Sequence, residues 1–452
     1  MASLRFDLAL LPDGWARHVR VAIDDARIVR VERDAAPAAG DERHAIAVPG
    51  MPNVHSHAFQ RGMAGLAERR GATTDTFWTW RETMYRFALT MSPDDVEVVA
   101  AQLYAEMLET GFTRVGEFHY LHHDPDGRPY ADIAEMAARI AAAAAETGIA
   151  LTLLPSFYAH ATFGGAEPHD GQRRFICSLD RFARLLEASR RQVAALPGAT
   201  VGVAPHSLRA VTPEELLAVV AMAPAGPIHI HAAEQTKEVD DCVAWSGQRP
   251  VGWLLAHAGV DARWCLIHAT HMTAEEARLL ARSGAVAGLC PITEANLGDG
   301  TFPAPEFLGH GGRFAIGSDS NILIGPGCEL RQLEYAQRLR LRERNVLGDG
   351  NVRSTGRVLF DAGLAGGAAA LACGPAGIAA GAAADLVSLD PHHPALVGRT
   401  GDTLLDAWVF AAATSPVDCV WVSGRRVVTG GSHRHREAIA DRFRRCMARL
   451  VA

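Results

Sequence analysis

Between about residues 45 and 320 the chain repeats one pattern: a short apolar run rich in Val, Ile and Leu, then a helical stretch. Eight such runs occur: VPGMPNVH (48–55), TRVGEFHY (113–120), IALTLLPSF (149–157), TVGVAPH (200–206), PIHIH (227–231), WCLIH (264–268), AVAGLCPI (285–292) and RFAIGSD (313–319). Strands that alternate with helices form parallel sheets. The helices between the runs carry their own punctuation. Ser92 with Asp95, Thr212 with Glu215 and Thr273 with Glu276 pair an N-cap hydroxyl with an acid three residues on, while Gly111, Gly148 and Gly284 stand at C-cap positions. Eight such units predict an α/β protein with a closed (β/α)8 TIM-like barrel over 48–377; a doubly wound open sheet is the alternative.

The two chain ends break this rhythm. Residues 1–47 and 378–430 read as short antiparallel strands separated by Asp/Gly turns, and neither end has enough strands to hide an apolar face. They are expected to combine into one small β-sandwich beside the barrel, followed by an amphipathic C-terminal helix over 431–452.

A length of 452 residues accommodates a barrel with an accessory unit, and 48 % hydrophobic with 21 % charged residues describes an ordinary globular protein. A net charge of −7 without a basic run argues against nucleic acid as a partner. No apolar segment approaches the roughly 20 residues needed to span a bilayer, and the start MASLRFDLALLPDG lacks the n-region of a signal peptide. Eight cysteines scattered singly suit a reducing compartment, so the protein is expected to be cytoplasmic, with no membrane partner.

The chemistry gathers at the ends of the apolar runs. His55 and His57, at i and i+2, point to the same side of the first strand. His231 closes the fifth run, His268 the sixth and Asp319 the eighth, and in a barrel the C-terminal strand ends converge on one mouth. Neutral imidazoles with one carboxylate suit one divalent ion, zinc or iron, with a position open for water. Glu234, three residues past His231, stands where a general acid/base can reach a substrate above that ion.

This pattern resembles the amidohydrolase superfamily and its mononuclear deaminases, in which the H-x-H pair, the strand-five His and the strand-eight Asp hold the metal. The resemblance assigns His55, His57, His231 and Asp319 as ligands, and gives His268 the task of orienting the attacking water rather than binding the ion. Binuclear members generally need a carboxylated lysine, or another bridging acid, after strand four. Here that strand ends in VAPHSLR, and the only lysine, Lys237, lies after strand five, so one metal is expected.

Longer segments, MPNVHSHAFQRGMAG, FWTWRETMYRF, GEFHYLHH, APHSLRAV, HIHAAEQTKEV, HATHMT and IGSDSN, resemble the formimidoylglutamate deiminases. That likeness implies a small dicarboxylate substrate, N-formimidoyl-L-glutamate, hydrolysed to N-formyl-L-glutamate and ammonia in histidine degradation, and a homodimer. It places Arg209 and Tyr120 on one carboxylate, Arg81 and Gln60 on the other, and His206 near the hydrolysed group. Arginine's planar fork suits carboxylates. The competing readings are a deaminase of a heterocycle such as guanine or an adenosine derivative, which would share the metal site, and a metal-free scaffold, which should have lost the ligands.

Overall fold

Each apolar run contains a strand in the computed structural model, which describes residues 2–70, 74–350 and 352–451. The barrel strands are Met51–Ser56, Phe112–His119, Ala150–Phe157, the divided fourth strand Thr200–Val201 and Ala204–Pro205, Ile228–Ala232, Trp264–His268, Val286–Leu289 and Arg313–Ile316. All their ladders are parallel. Two arcs of four strands result, and the single bridges Val203 to Ile228 and Ser56 to Asp319 close them into a ring. The fourth strand divides at Gly202, where a Cβ would meet the Pro227 carbonyl oxygen at 2.3 Å. Close approach of the next strand therefore demands glycine there.

The helix signals hold as well. Ser92, Thr212 and Thr273 each accept a hydrogen bond from the backbone N–H three residues on, in complete capping boxes, and Gly111, Gly148 and Gly284 end their helices in the left-handed conformation. Among the described residues no helix is long and apolar enough to cross a membrane.

The chain ends do pair with each other, but into one continuous sheet where two facing sheets were expected. Its eight strands run, in spatial order, Ser432–His433, Arg425–Thr429, Val417–Val422, Leu386–Leu389, Glu42–Pro49, Ala2–Leu11, Gly14–Asp24 and Arg27–Glu32. The seam is the antiparallel ladder from Leu386 opposite Pro49 to Leu389 opposite Ile46. One face, including Ile46, Val48, Val387 and Val420, joins the main core, while Phe6, Val19, Ile28, Leu386 and Trp421 form a second core. The sheet curls far enough that Phe6 and Trp421, with two strands between theirs, meet edge to face at 6.2 Å. Curling hides the second apolar face without a second sheet. The tail forms the helix Arg436–Leu450, which packs against Pro93–Thr110, where the thiol of Cys446 donates to Asp95 at 3.2 Å.

Candidate active site

The strand ends bring His55, His57, His231 and Asp319 together, all buried. His57 donates from Nδ1 to the Phe118 carbonyl at 2.9 Å and His231 from Nδ1 to the His206 carbonyl at 2.9 Å, which leaves both Nε2 atoms as bare lone pairs. The Nε2 atoms of His55 and His231 lie 3.1 Å apart, and Asp319 Oδ1 lies 3.4 Å from His55 Nε2 and 3.3 Å from His57 Nε2. Ligand atoms around a tetrahedral zinc, with bonds near 2.0–2.1 Å, stand about 3.3 Å apart. The three imidazoles bring their ligand nitrogens within 4.8 Å of one another and Asp319 stands against two of them, a set of donors that could hold a divalent metal. Burial, then the neighbouring His57, holds His55 down to about 3; burial likewise lowers His57 and His231. Burial works against ionising Asp319, but the hydrogen bond and charge of His55, with His268 and His57, keep it well below the usual carboxylate range. Neutral imidazoles and an ionised carboxylate are the forms a cation needs.

Glu234 and His268 stand next to this cluster. His268 Nε2 is 3.5 Å from Glu234 Oε1 and 3.7 Å from Asp319 Oδ2, and its Nδ1 is 3.3 Å from Glu294 Oε1. Burial opposes a charge on His268, yet Glu234, Glu294 and Asp319 together push its pKa up to about 10. Burial also holds Glu234 above the ordinary carboxylate range, against the pull of His268 and Arg209. The backbone around these groups is strained: Ala233, His268 and Asp319 have φ of 51°, 68° and 46°. Non-glycine residues keep such angles only where the surroundings enforce them. For Glu234 the enforcement is visible, since Glu238, one turn into the helix Thr236–Ser246, accepts from the N–H groups of Ala233 at 3.2 Å and Glu234 at 3.1 Å.

A cavity of about 520 Å³ opens above the cluster, and Gln60, Arg81, Tyr120, His206, Arg209 and Glu234 all line it with His57, His231 and Asp319. Gln60 donates to the Tyr120 hydroxyl at 2.8 Å, so these two act as a unit. The guanidinium carbons of Arg81 and Arg209 lie 4.5 and 5.9 Å from the centre of the Trp78 ring, which gathers both cations at one lip. Arg81 reaches the cavity from the helix Phe77–Ala88, whose aromatic face is itself part of the wall. The Nε atoms of both arginines are buried and without a hydrogen-bond partner. His206, kept neutral by burial and the nearby Arg209, has its ring centre 4.7 Å from that of His231, the two planes tilted by 33°.

Sequence reasoning missed several contributors. Tyr85 and Tyr158 line the cavity; Tyr158 directly follows the third run, so the strand-end logic could have found it. Glu238 stood four residues past Glu234 on a helix, a readable spacing. Glu294, which holds His268 Nδ1, carries no local signal.

Two family models match: "Amidohydrolase family" over residues 46–427 and "Formimidoylglutamate deiminase HutF, N-terminal domain" over residues 7–45. A formimidoylglutamate deiminase of Pseudomonas aeruginosa is 52 % identical over the whole of both chains. An 8-oxoguanine deaminase of the same species is 28 % identical over 71 % of this chain and 72 % of its own. Among solved structures, an amidohydrolase from Brucella melitensis superposes with a TM-score of 0.97 at 57 % identity, covering both chains fully. An adenosine deaminase from Xanthomonas campestris with bound zinc matches at a TM-score of 0.82 and 22 % identity, covering 100 % of this chain and 98 % of the other, a likeness of fold.

Proposed function

The chain belongs to the amidohydrolase family and, within it, to the formimidoylglutamate deiminases, and from that premise we propose that it hydrolyses N-formimidoyl-L-glutamate to N-formyl-L-glutamate and ammonia. One observation carries the choice of substrate: two guanidinium groups, from the buried Arg209 and the part-buried Arg81, gather at the lip of a cavity floored by His57, His231 and Asp319. A flat heterocycle has no use for two such cations, whereas formimidoylglutamate has two carboxylates to meet them.

One zinc ion per subunit, or ferrous iron in its place, would be held by His55, His57, His231 and Asp319 and would supply an acidified water at neutral pH. The chain's own groups do the rest. Arg81 and Arg209 clamp the carboxylates, Gln60 and Tyr120 add donors, and the formimidoyl carbon is thereby fixed over the cluster; such positioning is worth on the order of 7 to 11 kcal/mol. Asp319, through its second oxygen, accepts the proton of the attacking water, and His268 donates a hydrogen bond that orients it. Glu234 carries a proton to the terminal nitrogen, so that the C–N bond breaks to neutral ammonia and the carbon keeps the new oxygen as a formyl group. His206, a neutral imidazole, hydrogen-bonds the reacting group. We also place the enzyme in the cytoplasm as a homodimer, in keeping with a soluble catabolic substrate.

Ammonia release from N-formimidoyl-L-glutamate, measured beside guanine, cytosine and adenosine with metal content determined on the same sample, tests the reading. Turnover of a heterocycle without turnover of formimidoylglutamate would overturn it.

A further inference from the structure

One buried acid beside the site is used by nothing described so far. Asp299 follows the helix Pro291–Leu297, is 5 % exposed, and does not line the cavity. One of its carboxyl oxygens, one of Glu234 and one His268 ring nitrogen all lie within 4.8 Å of one another. Its place is built rather than incidental. The Asp299 N–H donates to the Glu294 carbonyl at 2.9 Å, and its own carbonyl accepts from His271 Nε2 at 2.8 Å. The next residue, Gly300, has φ of 133°, where a side chain is strained, and a Cβ there would meet His271 at 3.3 Å.

The two carboxyl oxygens of Asp299 are treated differently. Oδ1 accepts a hydrogen bond from the Gln235 amide, while Oδ2 is buried with no partner. An ionised carboxylate with one bare oxygen, set against a second buried carboxylate, is doubly unfavourable, from desolvation and from like charge. Glu234 is that second carboxylate; Glu294 and Asp319 add negative charge nearby, and His268 is the cation facing the group. Arg209 and Glu238 both approach Glu234. Burial first, then Glu234, holds the Asp299 carboxyl far above its ordinary range.

We propose that Asp299 is a neutral carboxylic acid that presents Oδ2–H to Glu234, directly after a small rotation or through one water, and so positions Glu234 for its proton transfer. As a donor it is a positioning residue. It does not touch substrate, it needs no counter-ion, and its proton stays in place through the cycle. The proposal rests on the assignment of Glu234 as the proton carrier of the deiminase reaction.

Two variants separate the possibilities. Asp299→Asn keeps the shape and an N–H donor, so it should retain turnover within about threefold and leave the pH limbs of kcat in place. Asp299→Leu removes the donor; loss of one hydrogen bond to a charged group predicts a fall in kcat of about tenfold to a hundredfold, with KM little changed and the acidic limb displaced. If Asp299 were an anion, Asp299→Asn would itself move that limb; equal losses in kcat and KM for both variants would mean a purely structural role. Either result overturns the proposal. Infrared spectroscopy gives a readout independent of substrate: a neutral carboxyl band above pH 7 in the difference between the wild-type and Asp299→Asn spectra, assigned to Asp299 against the other buried acids such as Glu117. Absence of that band in the wild type defeats the proposal even if formimidoylglutamate is turned over, whereas its presence in an enzyme inactive on that substrate defeats only the functional assignment.

Discussion

The barrel mouth and the sheet made by the chain ends handle charge in opposite ways. In the sheet, buried and half-buried charges have partners: Arg20 reaches Asp41 at 3.0 Å and Glu32 at 2.8 Å, the buried Arg5 donates to the Ala35 carbonyl at 3.1 Å, and the apolar interior is Phe6, Val19, Ile28 and Trp421. At the mouth, His55, Gln60, Arg81, Arg209, His268 and Asp299 each bury a polar atom that has no partner, and among the described residues no such atom lies in the strands of the sheet. Unsatisfied buried groups cost stability wherever they occur. Others, such as Trp264 and Ser189, lie elsewhere in the barrel unit, but those at the mouth lie at or beside the cavity where a ligand would supply partners, whereas the strands of the sheet are satisfied without one.

The sharpest way to break this contrast is at the proposed metal ligands. Asp319→Ala should abolish metal retention and lower turnover by about four orders of magnitude or more, read by elemental analysis and ammonia release, because the acidified water depends on the intact donor set. The converse belongs to the sheet. Phe6→Ala, which empties a fully buried site, should cost about 3–5 kcal/mol in chemical denaturation while leaving kcat of the folded enzyme unchanged. A change in kcat there would mean that the two units are coupled.

Smaller effects sharpen the contrast further. Arg209→Met and Arg81→Met should each lower kcat/KM for formimidoylglutamate by about a hundredfold, as expected for losing a charge-assisted clamp. Full activity in both would remove the substrate assignment. Stability should also respond to pH in opposite senses. Burial pushes Glu117, which underlies the mouth and accepts from the Ala58 N–H at 2.6 Å, up to about 8. Its folded pKa lies above the unfolded value, so its contribution is complete below about pH 4.5 and is lost as pH rises through 8. In the sheet, hydrogen bonds from Arg20 hold Asp41 below its ordinary range, so its contribution is present above that range and lost only in acid. Thermal melts from pH 4 to 9 should decline less for Glu117→Gln than for the wild type. Least of all should follow from Arg33→Ala, whose pair with Asp13 is more than half exposed on both sides: neither melting temperature nor turnover should move measurably.

Much of this was readable before any coordinates. The eight runs, the capping boxes at Ser92, Thr212 and Thr273, and the placement of His55, His57, His231, His268 and Asp319 at strand ends are local facts, carried by periodicity and by neighbours a few residues away. The pairing of the chain ends was legible from their shortage of strands. Its form was not, because the ladder joining Leu386 to Pro49 is a choice of edge between segments more than 300 residues apart, and nothing local records it.

The linear chain by itself determined which residues are strand, which cap helices, and which side chains a parallel barrel must deliver to its mouth, since strand direction and the two-residue alternation follow from covalent geometry. Tertiary packing alone decided that Asp299 and Glu294 lie against Glu234 and His268, that Gln60 bonds Tyr120, and that both arginines share Trp78. Desolvation is the physical reason. The charge, orientation and reactivity of those groups depend on what covers them, and the cover comes from loops and helices remote in the chain.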